Sequence, residues 1–253
     1  MEKCAINGFL TPAQRARYYA QVSRRESVRT FIAPPDQEQL STLSYAAARL
    51  CLPGVRIEIL ECDDKKLYGS MPFVETIMGT PCYAAFIVDT QVPHVMEHMG
   101  ISGEAFMLEA VSMGLGTCWV GGTYRKKAVE VTLKPHEKLA AITPLGVPAQ
   151  MENRERRRKT LRDICAVLPD NWPLWAYNAA ECVRIAPSAL NLQPWKLNYA
   201  GRTLQLCRKN MFASGLDMGI AMLHMSLGVG EKDHVISWGE GREVATLLAE
   251  DRI

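Results

Sequence analysis

No two of the eight cysteines are spaced Cys-x-x-Cys, and their positions (4, 51, 62, 82, 118, 165, 182 and 207) form no framework. That argues against a zinc finger or a disulfide scaffold and fits reduced, mostly buried thiols. Apolar runs of membrane-spanning length are also missing. Met1 to Leu10 has no signal-peptide core, so the chain is expected in the cytoplasm and off the membrane. Surplus charge is small: the formal net charge is +2, too near neutral for a protein that works on nucleic acid or acidic lipid. What remains is an ordinary globular balance, 48% hydrophobic and 22% charged over 253 residues, enough for one large core or two small ones.

Arg184 to Trp195 stands out, reading R-I-A-P-S-A-L-N-L-Q-P-W. Pro187 and Pro194 fix their own φ and lack a donor, so neither helix nor regular strand continues there. Between them Ser188, Asn191 and Gln193 offer short donors and acceptors, the set a flat heteroaromatic ring needs at its edge. Any one of these residues is ordinary in a helix-ending loop. The whole string P-S-x-x-N-x-Q-P-W is not.

Three further strings carry chemistry. Arg24 to Phe31 reads R-R-E-S-V-R-T-F; guanidinium forks with a hydroxyl can grip a phosphate. Gly114 to Gly122 reads G-L-G-T-C-W-V-G-G, and its last two glycines allow backbone N–H groups to approach a ligand closely. Asn153 to Arg162 is basic and has no interleaved aromatics, which sets nucleic acid aside. A fourth string, His94-Val95-Met96-Glu97-His98, matches an inverted zinc-protease signature. With helix-initiating flanks and no acidic third ligand downstream, it is expected to be a polar helix face, and no metal is expected.

Hydrophobic spacing predicts helices from Pro12 to about Ser23, over 36–50, 93–113, 124–133 and 172–185, and over 211–227. It predicts strands over 55–61, 82–89, 139–145, 195–199 and 203–207.

Taken together these strings resemble the FMN-dependent nitroreductase family. P-S-x-x-N-x-Q-P-W is similar to its flavin loop, R-x-S-V-R-x-F to its start motif, and G-L-G-x-x-W-x-G-G to the segment beside the reactive edge of the flavin. Gly146-Val147-Pro148 with Arg158-Lys159-Thr160-Leu161 resembles its G-x-P…R-K-x-L tail. The resemblance assigns FMN contacts to Arg25, Ser27, Arg29, Gly121, Gly122, Arg158 and, second to it, Arg156, and to Pro187, Ser188, Asn191 and Gln193. It implies an α+β fold, a central mixed or antiparallel sheet wrapped by helices.

One departure matters. In a typical member the polar loop precedes the G-L-G-x-x-W-x-G-G helix; here it follows. At the earlier place stand Cys51-Leu52-Pro53-Gly54. Ser226-Leu227-Gly228-Val229-Gly230 faintly echoes Ser112-Met113-Gly114-Leu115-Gly116. Family members are homodimers with flavin at the interface, so this order implies a fused pseudo-dimer: residues 1–165 carry the phosphate grip and Gly-Gly segment, residues 166–253 the flavin loop. The implied protein is a monomer with one FMN per chain, taking NAD(P)H as co-substrate and reducing a nitroaromatic, quinone or similar small acceptor by a ping-pong hydride mechanism. No side chain stands out as a catalytic acid, leaving solvent to supply protons. A flavin-binding module without turnover, flavin fragmentation and reductive dehalogenation are the alternatives.

Overall fold

The computed structural model describes residues 2–68, 76–150, 157–167 and 169–249. Along the chain come α1 (Pro12–Val22), β1 (Phe31–Ala33), α2 (Gln37–Arg49), β2 (Val55–Glu61), α3 (Asp64–Leu67), β3 (Cys82–Asp89), α4 (Val95–Ser112), β4 (Glu137–Pro144) and β5 (Val147–Pro148). Then follow α5 (Leu161–Ile164), α6 (Leu174–Ile185), β6 (Trp195–Ala200), β7 (Thr203–Arg208), α7 (Gly215–Gly228), β8 (His234–Trp238) and β9 (Glu243–Ala249). The fold class is α+β, as expected, and among the described residues β1 to β9 pair antiparallel.

Contacts divide the chain into two units. A terminal unit holds residues 1–23, 96–104 and 155–253; a middle unit holds 24–95 and 105–154. This is a division of contacts and differs from the sequence division at residue 165. Helix α4 contributes its first part to one unit and its second part to the other.

In the middle unit β2, β3 and β4 form a sheet with β3 at its centre. The apolar run of β3 is buried from Cys82 through Val88, as a strand covered on both faces must be. β1 pairs with β5 in a separate ladder. Helix α2 starts on a capping box, Asp36 accepting from the Gln39 N–H while the Gln39 side chain accepts from the Asp36 N–H. Val28, Phe31, Ile77, Tyr83, Val120 and Ile142 share one apolar cluster.

An ion pair ties β2 to β4. Arg56 donates to both oxygens of Glu137, at 3.2 and 2.6 Å, and the Lys134 N–H adds a third bond at 2.8 Å. The Arg56 hydrogen bond first, then the Lys134 N–H, hold the Glu137 carboxyl below its ordinary value. A carboxylate with a depressed folded-state pKa stabilises above its unfolded pKa, about 4, and loses that contribution as pH falls through the folded one. Glu137→Gln is therefore expected to cost about 1 kcal/mol at pH 7, after discounting for partial exposure, and progressively less below pH about 4. Chemical denaturation of both proteins at pH 7 and pH 3 measures it; a cost that persists undiminished at pH 3 would count against the ion pair.

In the terminal unit the sheet order is β6-β7-β9-β8. Lys3 pairs with Ser237 and Cys4 N donates to Ile236 O at 2.9 Å, so the start of the chain covers the β8 edge. Helix α7 is buried all round from Asp217 to Gly228; it is mostly apolar, and its buried polar residues Asp217, His224 and Ser226 are hydrogen-bonded. The first part of α4 crosses it closely: a Cβ on Gly219 would lie 2.0 Å from the Glu97 carbonyl oxygen, and one on Gly100 2.3 Å from the Leu216 carbonyl oxygen. The fully buried His224 lies with Nε2 3.0 Å from Glu104 and Nδ1 3.0 Å from the Cys182 carbonyl.

One expectation needs correction. Residues 124–133 are not a helix; only Lys126–Ala128 make a 3₁₀ turn. Val129, Val131 and Thr132 are β-branched, and Pro135 follows, so the pattern has no α propensity behind it. Glu97 and His98, expected on a polar helix face, stand on α4 but are buried and partnered. They are 7% and 6% exposed; Glu97 binds Arg208 at 2.5 Å, and the His98 ring lies 6.0 Å from that of Trp238. His94 is outside the helix, a left-handed cap with φ 57°. Among the described residues no group of three His, Cys, Asp or Glu could hold a metal ion, and no helix is long and apolar enough to cross a membrane.

Candidate functional site

The predicted site residues fall into two groups, one in each unit. In the middle unit the start motif lies against the glycine segment. Val28 N donates to Thr117 O at 2.9 Å, and Ser27 and Thr117 form a parallel bridge. Gly116 has no room for a side chain, since a Cβ there would sit 2.8 Å from Val28 Cβ. The two motifs meet because that glycine allows it. Arg25 is 2% exposed, Arg29 half-buried and Ser27 exposed. Reciprocal Val120–Ile142 backbone bonds of 2.9 and 3.0 Å fix the chain just before Gly121 and Gly122. Beside those two glycines no heavy atom of the described residues comes within 4 Å of a Cβ position, so their backbone is open to a ligand.

In the terminal unit the P-S-x-x-N-x-Q-P-W loop leaves α6 and is held in an unusual conformation. Leu190, Asn191 and Gln193 have φ of 50°, 55° and 47°. Left-handed backbone costs a non-glycine residue about 1 kcal/mol or more, and for Leu190 there is no Asn-like compensation. Strain of this kind persists only where surrounding bonds fix it. Here Gln193 N donates to Ser188 Oγ at 2.9 Å and Ala189 N to Asp217 Oδ1 at 2.9 Å. Gln193 Oε1 accepts from Lys159 N at 2.8 Å, Lys159 Nζ donates to Gln193 O at 3.0 Å, and Asn191 Nδ2 donates to Arg157 O at 2.6 Å. Arg158 binds the Asn191 side-chain oxygen and, at 3.3 Å, the Ile185 carbonyl.

The basic tail and the polar loop are thus brought together, Arg158 among them. Pro187 and Gln193 are buried, whereas Asn191 is exposed and Ser188 half-exposed. The Gln193 amide is occupied, its nitrogen donating to Asn191 O and its oxygen accepting from Lys159 N. Arg156 lies outside the described residues. Lys159 and Asp217 were not anticipated. Lys159 was visible as the second residue of the R-K pair, but Asp217 lies 28 residues from Ala189 and carries no local signal. Burial, ahead of the nearby Lys209 and Lys196 charges, lowers the Lys159 pKa.

Residues 17–229 match the model of a family described as "Putative TM nitroreductase". The chain belongs to this nitroreductase family. Among solved structures, it is similar to a "putative nitroreductase" of Thermotoga maritima, with 22% identity, coverage of 91% of this chain and 93% of that one, and a TM-score of 0.67. At that identity the likeness shows the fold. A "putative NADH dehydrogenase/NAD(P)H nitroreductase" of Parabacteroides distasonis is 20% identical over 61% of this chain and 98% of that one, TM-score 0.46. A nitroreductase of Desulfitobacterium hafniense, solved with bound FMN, is 16% identical over 53% of this chain and 90% of that one, TM-score 0.43. No curated protein matches the chain.

Proposed function

We propose that the protein is an FMN-dependent oxidoreductase that uses NAD(P)H to reduce a small acceptor such as a nitroaromatic or quinone. The observation that carries this reading is the 188–193 loop, whose three left-handed residues are locked by bonds from Arg157, Lys159 and Asp217. A chain that holds a loop in a costly conformation at a family motif holds it for a ligand. In the middle unit, the open Cβ positions of Gly121 and Gly122 leave their backbone free to take a ligand.

In this reading Arg25, Ser27 and Arg29 bind phosphate and ribityl oxygens, with Arg158 and Arg156 as further basic groups. Pro187, Ser188 and Asn191 line the ring, and Gln193 keeps the loop in shape. The N–H groups at Gly121 and Gly122 donate toward the ring edge, where a fixed dipole stabilises negative charge without reorganising. FMN, when bound, supplies hydride transfer in two half-reactions, first from the nicotinamide and then to the acceptor. The protein binds, orients and excludes water; solvent supplies the protons.

Each set of contact residues occurs once in the sequence, so one FMN per chain and a monomer are expected. The purified protein should show flavin absorbance that bleaches on anaerobic NADH or NADPH. Acid-released flavin should equal the protein in amount, with light scattering giving a mass near 28.2 kDa. Added FMN should also raise the melting temperature, and riboflavin, lacking phosphate, should raise it less. A protein that takes up no FMN, or that stabilises equally with riboflavin, defeats the reading or its phosphate grip respectively.

A further inference from the structure

The terminal unit contains a cavity of about 240 Å³, none of whose lining residues belongs to the set assigned to FMN. Ile6, Leu10, Leu223 and Ile236 form an apolar wall, and Arg15, Ser226, Asp233 and His234 bring polar groups. Ser226 Oγ lies 2.7 Å from His234 Nε2. On the other side of the ring, Nδ1 lies 3.1 Å from the Lys232 carbonyl. A carbonyl only accepts, which assigns the hydrogen to Nδ1 and leaves Nε2 to accept the Ser226 hydroxyl. Arg15 Nη2 is 3.2 Å from Nδ1, but its shorter bond, 2.5 Å, goes to the Gly230 carbonyl. Burial and then the neighbouring guanidinium lower the His234 pKa, against the bond to Lys232 and the Asp233 charge, so the ring is neutral at pH 7. Arg15 Nε is buried with no acceptor among the described residues.

The Ser226 hydroxyl touches a base, the base is oriented by a third group, and the Arg15 side chain belongs to the same cavity wall. We infer that Ser226 is a nucleophile toward small neutral carboxylic esters, with His234 as its general base and Arg15 as donor to the carbonyl oxygen. The cavity volume limits the ester to a short acyl chain. Asp233 offsets the Arg15 charge, which favours a neutral ligand over an anion. Ser226 Oγ attacks the acyl carbon while Nε2 takes the hydroxyl proton. The negative charge on the carbonyl oxygen meets the Arg15 N–H. The intermediate collapses, the acyl–oxygen bond to the alcohol breaks, and the alcohol leaves with the proton from Nε2. Water, deprotonated by the same nitrogen, then releases the acid and restores Ser226.

The test treats full-length, FMN-supplemented protein with a fluorophosphonate probe and, separately, with p-nitrophenyl butyrate. Peptide mass mapping should find the phosphonyl group on Ser226, and excess butyrate ester should slow the labelling. Ester turnover should fall to background in Ser226→Ala, by about 10²- to 10⁴-fold in His234→Gln, and by about 10²- to 10³-fold in Arg15→Gln. Flavin content should not change in Ser226→Ala. The labelling needs no variant, so it decides the matter even where a substitution disturbs folding. Absence of a Ser226 adduct, or undiminished turnover by Ser226→Ala, overturns the assignment.

Discussion

Arg25→Ala is expected to weaken FMN binding by about ten- to a hundredfold, the worth of a charge-assisted contact to phosphate of about 1.5–3 kcal/mol. Arg25 is 2% exposed, so its removal also disturbs local packing. Riboflavin separates the two effects. A lost phosphate contact lowers FMN affinity and spares riboflavin; a damaged fold lowers both together. Fluorescence titration of each flavin against parent and variant gives the four constants. Equal losses for the two ligands, or an unchanged FMN affinity, would remove Arg25 from the phosphate grip.

Gly219→Ala should produce the largest loss of stability. Its new methyl would lie 2.0 Å from the Glu97 carbonyl oxygen, and backbone cannot swing aside as a side chain can. Overpacking of this kind costs about 1–3 kcal/mol and sometimes more. The upper end is expected because the only relief is to move α4 and α7 apart, which loosens the buried Glu104–His224 contact as well. For a chain of this size about 3 kcal/mol corresponds to a fall in melting temperature of roughly 6–12 °C. Gly122→Ala, with open space at its Cβ position, is the control and should melt within about a degree or two of the parent. Should Gly219→Ala melt with the control, the crossing is not as close as described.

Much of the fold could be read from local pattern. Strand β2 alternates and β3 is a continuous apolar run bounded by turns, and both have the expected limits. Helices α1 and α2 begin at legible caps. Strands β8 and β9 went unread although Val244 to Leu247 is a buried stretch, apolar but for Thr246, because the family motifs end before them. The burial of Glu97 was not legible for a physical reason: its partner Arg208 lies 111 residues away. The site divides likewise. Its residue types were visible as strings, whereas the left-handed turns at Leu190 and Gln193 were not. Neither residue favours that conformation; bonds from Lys159 and Asp217 impose it.

The chain passes from one unit to the other four times, at residues 23–24, 95–96, 104–105 and 154–155, and two of those passages lie at the start of α4 and within it. No single cut can therefore release either unit whole. A fragment carrying 166–253 alone would lack α1, which packs on α7, and the Glu97 and Glu104 partners of Arg208 and His224. Arg208 and His224 would each lose a carboxylate partner and keep only the Ala213 and Cys182 carbonyls. The middle unit cut out by itself would end with half a helix at its edge. A cut at residue 165 leaves the terminal unit without residues 1–23 and 96–104, and so without part of its core.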